Sequence, residues 1–136
     1  MSSPPTTPEH PHLELFRRGS RAFLERDFSV MEETLAPDLV WHYLGAKPLA
    51  GDYRGLAEVL DLFAYRAALT HETWSLSPLS VTATDVFVTA IWRATAQRGD
   101  VHFESELCNV YRVHDGKVAE AWSMIANIDA EARLYL

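Results

Sequence analysis

Apolar residues recur every three or four positions near the start of the chain. Leu15, Phe16, Gly19, Ala22 and Phe23 form one stripe that runs to about Arg26, which predicts a helix with order beginning near His12. Ser29-Val30-Met31-Glu32 has the serine-to-glutamate spacing of a capping box, so a short second helix is expected from Ser29. It should stop before Pro37, because proline disfavours helix in the residue ahead of it. Leu39 to Leu44 reads as a first strand carrying Trp41, His42 and Tyr43, followed by a Gly/Pro turn. A glycine-led helix follows, with Leu56, Leu60, Phe63, Ala64 and Ala67 on its apolar face. From Thr70 onward the pattern becomes strand-like, with strands expected at roughly 71–83, 86–97, 101–113 and 117–127. Turns fall at Thr84-Asp85, Arg98-Gly99-Asp100 and His114-Asp115-Gly116-Lys117, the last two with the glycine that tight hairpins favour. Helices first and a run of long antiparallel strands afterwards describe an α+β fold, with the helices packed on one sheet face.

Composition narrows this picture. The chain has 136 residues, enough for one domain with a substantial core. Residues 1–11 hold four of the seven prolines and read as a disordered leader, which leaves 12–136 as a single domain. The formal charge of −7 argues against nucleic acid, whose phosphates call for a basic face. Arg17, Arg18 and Arg21 cluster, but Glu14 and Glu25 lie among them, as on a solvated helix face. No apolar run reaches the roughly 20 residues of a membrane span, so no membrane partner is expected. Cys108 is the single cysteine, which excludes an intrachain disulfide and a thiolate metal cluster. A cytoplasmic protein is the economical expectation.

Three segments stand out together. They are Trp41-His42 followed by Gly45, the run Pro48-Leu49-Ala50-Gly51-Asp52-Tyr53-Arg54-Gly55, and Val110-Tyr111-Arg112-Val113-His114-Asp115-Gly116-Lys117-Val118. In that order and spacing the chain resembles the nuclear transport factor 2-like superfamily, and within it the SnoaL-like group related to ketosteroid isomerases and polyketide cyclases. The resemblance spans about residues 13 to 128. It implies a cone-shaped curved antiparallel sheet wrapped around the N-terminal helices (cystatin-like), open at one end onto an apolar pocket, and usually a homodimer. It also implies where catalytic groups would stand. The isomerase general base falls on Tyr43, its carboxylic-acid donor on Asn109 and its oxyanion tyrosine on Gly19. The cyclase acid/base aspartate falls on Ser123 and a pocket histidine on Asn109. Neither catalytic set is present.

Alternation divides each strand between two faces. On 101–113 the apolar odd set, Phe103, Ser105, Leu107, Asn109, Tyr111 and Val113, should face inward, and on the last strand Ala119, Ala121, Ser123 and Ile125. Asn109 is then a polar group in a greasy wall, a position that calls for a partner or a ligand. The candidate catalytic residues are Tyr43 and Asn109, both able to donate to a carbonyl or enolate oxygen, and His42, whose imidazole titrates near neutrality. Alternation sets His42 on the face opposite Tyr43, where a structural role under the glycine turn competes with catalysis. Trp41, Ser123, Trp92, Phe63, Leu107 and Tyr111 are the expected substrate-binding residues. Arg93 is an adjunct that faces the pocket only if Trp92 does not. His102, Glu104 and Glu106 alternate on one face as a rival metal site, but they lack a fourth ligand, and neither metal nor cofactor is expected. The tryptophans (41, 74, 92, 122) are otherwise packing residues. The functional expectation is cofactor-independent acid/base chemistry (cyclisation, isomerisation or dehydration) on an apolar carbonyl compound such as a polyketide- or steroid-like molecule. The alternatives are a non-catalytic small-molecule binder using the same pocket, or a dimeric scaffold.

Overall fold

The computed structural model describes residues 9–136. Of the expected leader, residues 1–8 lie outside this range, while residues 9–11 already belong to the fold. Helix α1 (Pro11–Glu25) is capped by His10, whose ring accepts the His12 N–H at 3.1 Å and whose other nitrogen meets Asp85 at 2.8 Å. Helix α2 (Phe28–Thr34) starts one residue before the expected point. Its cap is Asp27, which accepts from the Val30 N–H at 3.3 Å, and the Ser29 hydroxyl donates back to Asp27 at 2.8 Å.

Strand β1 runs from Leu35 to Leu44, passes through Pro37 and so is longer than its alternation suggested. The segment after the turn contains a short strand, β2 (Gly51–Arg54), which folds back antiparallel on β1 with Trp41 opposite Tyr53. Helix α3 spans Leu56–Leu69, and its buried residues are Val59, Leu62 and Arg66. The expected face is therefore rotated, leaving Ala64 exposed. His71 and Glu72, read as a strand edge, form the left-handed turn after α3 (φ 51° and 63°), with Glu72 2.9 Å from Arg26. Strands β3 (Ser75–Ala83), β4 (Phe87–Arg98), β5 (Val101–His114) and β6 (Lys117–Ile125) form the meander. A final helix, α4 (Ile128–Leu134), follows the last strand in a stretch where no element was expected.

The sheet order is β2-β1-β6-β5-β4-β3. All pairings are antiparallel except β1 with β6, which the intervening elements bring back in the same direction. Irregularities in β1, β3 and at Arg112/Val113 curve the sheet without closing it. One concave face is buried along β1 (Leu39, Trp41, Tyr43), β4 (Val88, Ala90, Trp92), β5 (Phe103, Leu107, Asn109) and β6 (Ala121, Ser123, Ile125), while the edge strand β3 has no buried residue. The irregularity at Arg112/Val113 puts Val118, rather than Ala119, opposite Val113 on this face. Helices α1 and α3 fill the concavity, with Phe23 edge-on to Phe63 at 4.7 Å and Phe16 against Trp92 at 5.6 Å. The result is an α+β cone of the cystatin-like kind. Among the described residues no helix is long and apolar enough to cross a membrane.

Candidate functional site

Helices and sheet do not meet everywhere. A cavity of about 130 Å³ remains between α1, α2, α3 and the concave face. This is close to the ~150 Å³ apolar cavity known to admit benzene, so one aromatic ring fits. Leu24, at its rim, is 75% exposed. The wall is largely apolar and includes Trp41, Phe63, Trp92, Leu107 and Tyr111 with the polar Asn109 and Ser123.

Those polar groups form a chain with one direction. The Trp41 indole N–H donates to Ser123 Oγ at 2.8 Å, and the Ser123 hydroxyl donates to Asn109 Oδ1 at 2.6 Å. Asn109 Nδ2 donates in turn to the Tyr111 hydroxyl at 2.8 Å. An indole nitrogen can only donate, so Ser123 Oγ accepts there, and the Asn109 amide, with its oxygen toward Ser123 and its nitrogen toward Tyr111, sets the sense of the bonds that follow. In this orientation Ser123 gives its proton to the amide oxygen, the amide nitrogen donates to Tyr111, and the phenol oxygen accepts. The Tyr111 O–H then has no acceptor among the described residues. Burial pushes the Tyr111 phenol up to about 12, against the pull of the Asn109 hydrogen bond and the Arg66 charge. It therefore remains a protonated donor at neutral pH. The Trp92 indole N–H is buried without a close hydrogen bond, but it is near enough to the Tyr111 oxygen to pull against the rise as well.

Two charged groups that the sequence reading passed over complete the interior. Arg66, only 5% exposed, lines the cavity. Its guanidinium carbon lies 4.2 Å from the centre of the Trp74 ring, 5.5 Å from Phe63 and 5.9 Å from Tyr43. Glu131, on α4, is fully buried outside the cavity wall. Its carboxylate accepts from the Tyr43 hydroxyl, from the Ala46 N–H at 2.5 Å and from the Tyr135 hydroxyl at 3.0 Å.

Tyr43, a candidate catalytic donor, accordingly does not face the cavity. It shares the concave side with Trp41 but lies where α4 seals the sheet, with its hydroxyl held by Glu131. Burial raises its phenol above the ordinary range, and Glu131 adds to the rise while Arg66 opposes it. Gly45 lets this approach happen. A Cβ there would lie 2.5 Å from both Glu131 Oε1 and Tyr43 Cε1.

His42 lies on the outer face, as alternation indicated, and is equally removed from the cavity. Its ring bridges Asp52 (2.7 Å) and Glu120 (2.6 Å), stacks on Trp122 at 5.4 Å, and is raised in pKa first by Glu120 and then by Asp52. Trp92 takes the inner face, so Arg93 points outward to Glu104 at 2.6 Å. That pairing occupies one member of the rival metal trio, and His102 and Glu106 are exposed beside it. The inward residues Trp41, Ser123, Trp92, Phe63, Leu107, Tyr111 and Asn109 do converge on one cavity.

A family model for the SnoaL-like domain matches residues 16–121. The chain belongs to the SnoaL-like family. Solved structures agree on the SnoaL-like fold. Bal32a, from a soil-derived mobile gene cassette, is 26% identical with a TM-score of 0.83, covering 91% of this chain and 95% of its own. IdmH from Streptomyces antibioticus, a candidate polyketide cyclase, is 22% identical with a TM-score of 0.74, covering 93% and 100%. TerC, co-crystallised with polyporic acid, is 14% identical with a TM-score of 0.77, covering 93% and 100%. A nuclear transport factor 2-like protein from Burkholderia xenovorans also superimposes, with a TM-score of 0.76. No match was found among functionally curated proteins.

Two signals could have revealed the missed residues of this SnoaL-like chain. Val59, Leu62 and Arg66 have the 3–4 spacing of a buried stripe, which makes Arg66 a cation on an apolar face. Asn127 four residues before Glu131 marks a helix start, and the Asn127 side chain does cap α4 by accepting from the Ala130 N–H at 3.1 Å.

Proposed function

We propose that this cavity binds a small apolar carbonyl compound and draws negative charge onto its oxygen. The reaction it serves is a cofactor-independent cyclisation, isomerisation or dehydration passing through an enolate. The observation that carries this reading is the one-way chain from Trp41 to Tyr111, which leaves a phenol proton free at the cavity wall. A donor preset at the oxygen, in a site with few competing waters, stabilises charge as it develops and needs no reorganisation. Tyr111 therefore takes the donor role first assigned to Tyr43, and Asn109 is a positioning residue that orients it.

Among the described residues the cavity wall contains no Asp, Glu or His. A proton leaving the carbon must go to solvent or to a second group on the substrate. That same observation favours a second reading, in which the site binds such a compound without turning it over. The neighbours IdmH and TerC fit either case. A homodimer joined through the outer sheet face belongs to this proposal, because Leu44 and Met124 are half-exposed side by side there.

Acetophenone tests both readings. NMR would follow deuterium exchange at its methyl group and the indole signals of Trp41 and Trp92. The proposal expects binding in the cavity and enzyme-promoted exchange that Tyr111→Phe lowers about 100- to 1,000-fold, the range for losing one oxyanion donor. Binding without exchange selects the second reading. Unmoved indole signals would end both.

A further inference from the structure

Arg66 carries a charge into an apolar hollow, and among the described residues no acid pairs with it directly. Among the described residues no carboxylate oxygen lies within 4.0 Å of its nitrogens. Its neighbours are the faces of Trp74, Phe63 and Tyr43, which hold the guanidinium by cation–π attraction but supply no counter-charge. Glu131, the other buried charge, makes no direct ion pair with Arg66: three donors engage its carboxylate, and the two charges meet only through the Tyr43 hydroxyl, on which both act. A buried cation in this position is strongly unfavourable unless an anion completes it.

The rest of the wall points the same way. The Tyr111 O–H is an unclaimed donor, and among the described residues the wall has neither carboxylate nor imidazole. Tyr111 is close enough to Arg66 for the cation to favour its phenolate, so the donor and the charge share one region.

We infer that the ligand of this cavity is an apolar acid: an aromatic body of about one ring carrying a single anionic oxygen group, carboxylate or enolate, seated on Arg66. A planar guanidinium pairs such a group through two parallel hydrogen bonds. The inference rests on the small-molecule reading above and narrows it to anions. The net charge of −7 opposes anion binding elsewhere on the molecule, so a preference for anions must arise locally.

Benzoate and benzamide share a shape and differ in charge. Titrated into the wild-type protein and followed by the indole N–H signal of Trp92, benzoate should bind at least about tenfold more tightly. Arg66→Met should bring the two within about twofold, and Arg66→Lys should keep part of the preference. If Arg66→Met does not fold, the wild-type ratio and the Arg66→Lys variant decide the matter. Equal affinity in the wild type, or a benzoate preference that survives Arg66→Met, would overturn the inference and leave a neutral-ligand cavity standing. Failure of both compounds to move Trp92 would remove the small-molecule reading itself.

Discussion

Glu131 is the most consequential single side chain for stability, and the cost of losing it can be worked out from its partners. Replacing it with alanine strips an acceptor from the Tyr43 hydroxyl, the Tyr135 hydroxyl and the Ala46 N–H, in a region where Glu131 and Tyr43 are almost completely buried. Each orphaned buried donor costs about 1–3 kcal/mol, so three of them amount to about 3–9 kcal/mol, and water entry should hold Glu131→Ala to roughly 3–6 kcal/mol. Against a total of about 5–15 kcal/mol this is a large share. Glu131→Gln keeps one accepting oxygen and sets an NH2 against the remaining donors, so it should fall about midway. Urea unfolding followed by tryptophan fluorescence measures both. A loss under about 1 kcal/mol for Glu131→Ala at unchanged slope would refute the network. Gly45→Ala offers a check that does not rely on removing an acceptor. Its Cβ would sit 2.5 Å from Glu131 Oε1 and must displace it. The double variant Gly45→Ala/Glu131→Ala should therefore lose less than the sum of the singles, with about 0.5–3 kcal/mol of coupling. Strict additivity would show that the two groups do not meet.

Two further outcomes concern the outer face. His42 is raised in pKa by Glu120 and Asp52, so folding favours its protonated form. Its contribution is complete below the ordinary imidazole value of about 6.5 and fades as pH climbs through the raised folded value. His42→Gln should thus lower the melting temperature more at pH 6 than at pH 9, and equal losses at both would refute the bridge. Met124→Glu, which places charge in the half-exposed strip beside Leu44, should convert a dimer to monomer by light scattering without altering the fold. A wild-type chain already at monomer mass would remove the dimer from the proposal.

Most of the architecture was legible because buried strands must alternate and buried helices must repeat every three to four residues. The inward set of β5 follows from that rule alone, and with it the convergence of Leu107, Asn109 and Tyr111. What escaped lacks periodicity. β2 is four residues, Gly-Asp-Tyr-Arg, defined by pairing with β1 and not by its own pattern. α4 is two turns long, with three charged residues in seven. At α2 two capping residues stood close together, and the aspartate prevailed over the serine that fitted the box. Missing α4 also misplaced Tyr43. Parity correctly put it on the concave face, but that face extends beyond the cavity, and the stretch α4 covers is sealed.

The interior's two charges explain why stability and binding share one arrangement here. A buried arginine and glutamate placed together would neutralise each other, and the cavity would be left with donors of no net charge. The ring of Tyr43 lies beside Arg66 while its hydroxyl is tied to Glu131. The Ala46 N–H and Tyr135 hold the carboxylate from its other sides. Each of these three donors strengthens the closure of α4, and each also keeps the acid from turning toward the cavity. Glu131 therefore acts on Arg66 through the shared Tyr43 hydroxyl and not by a direct ion pair, which leaves the guanidinium's cavity side for the proposed anion.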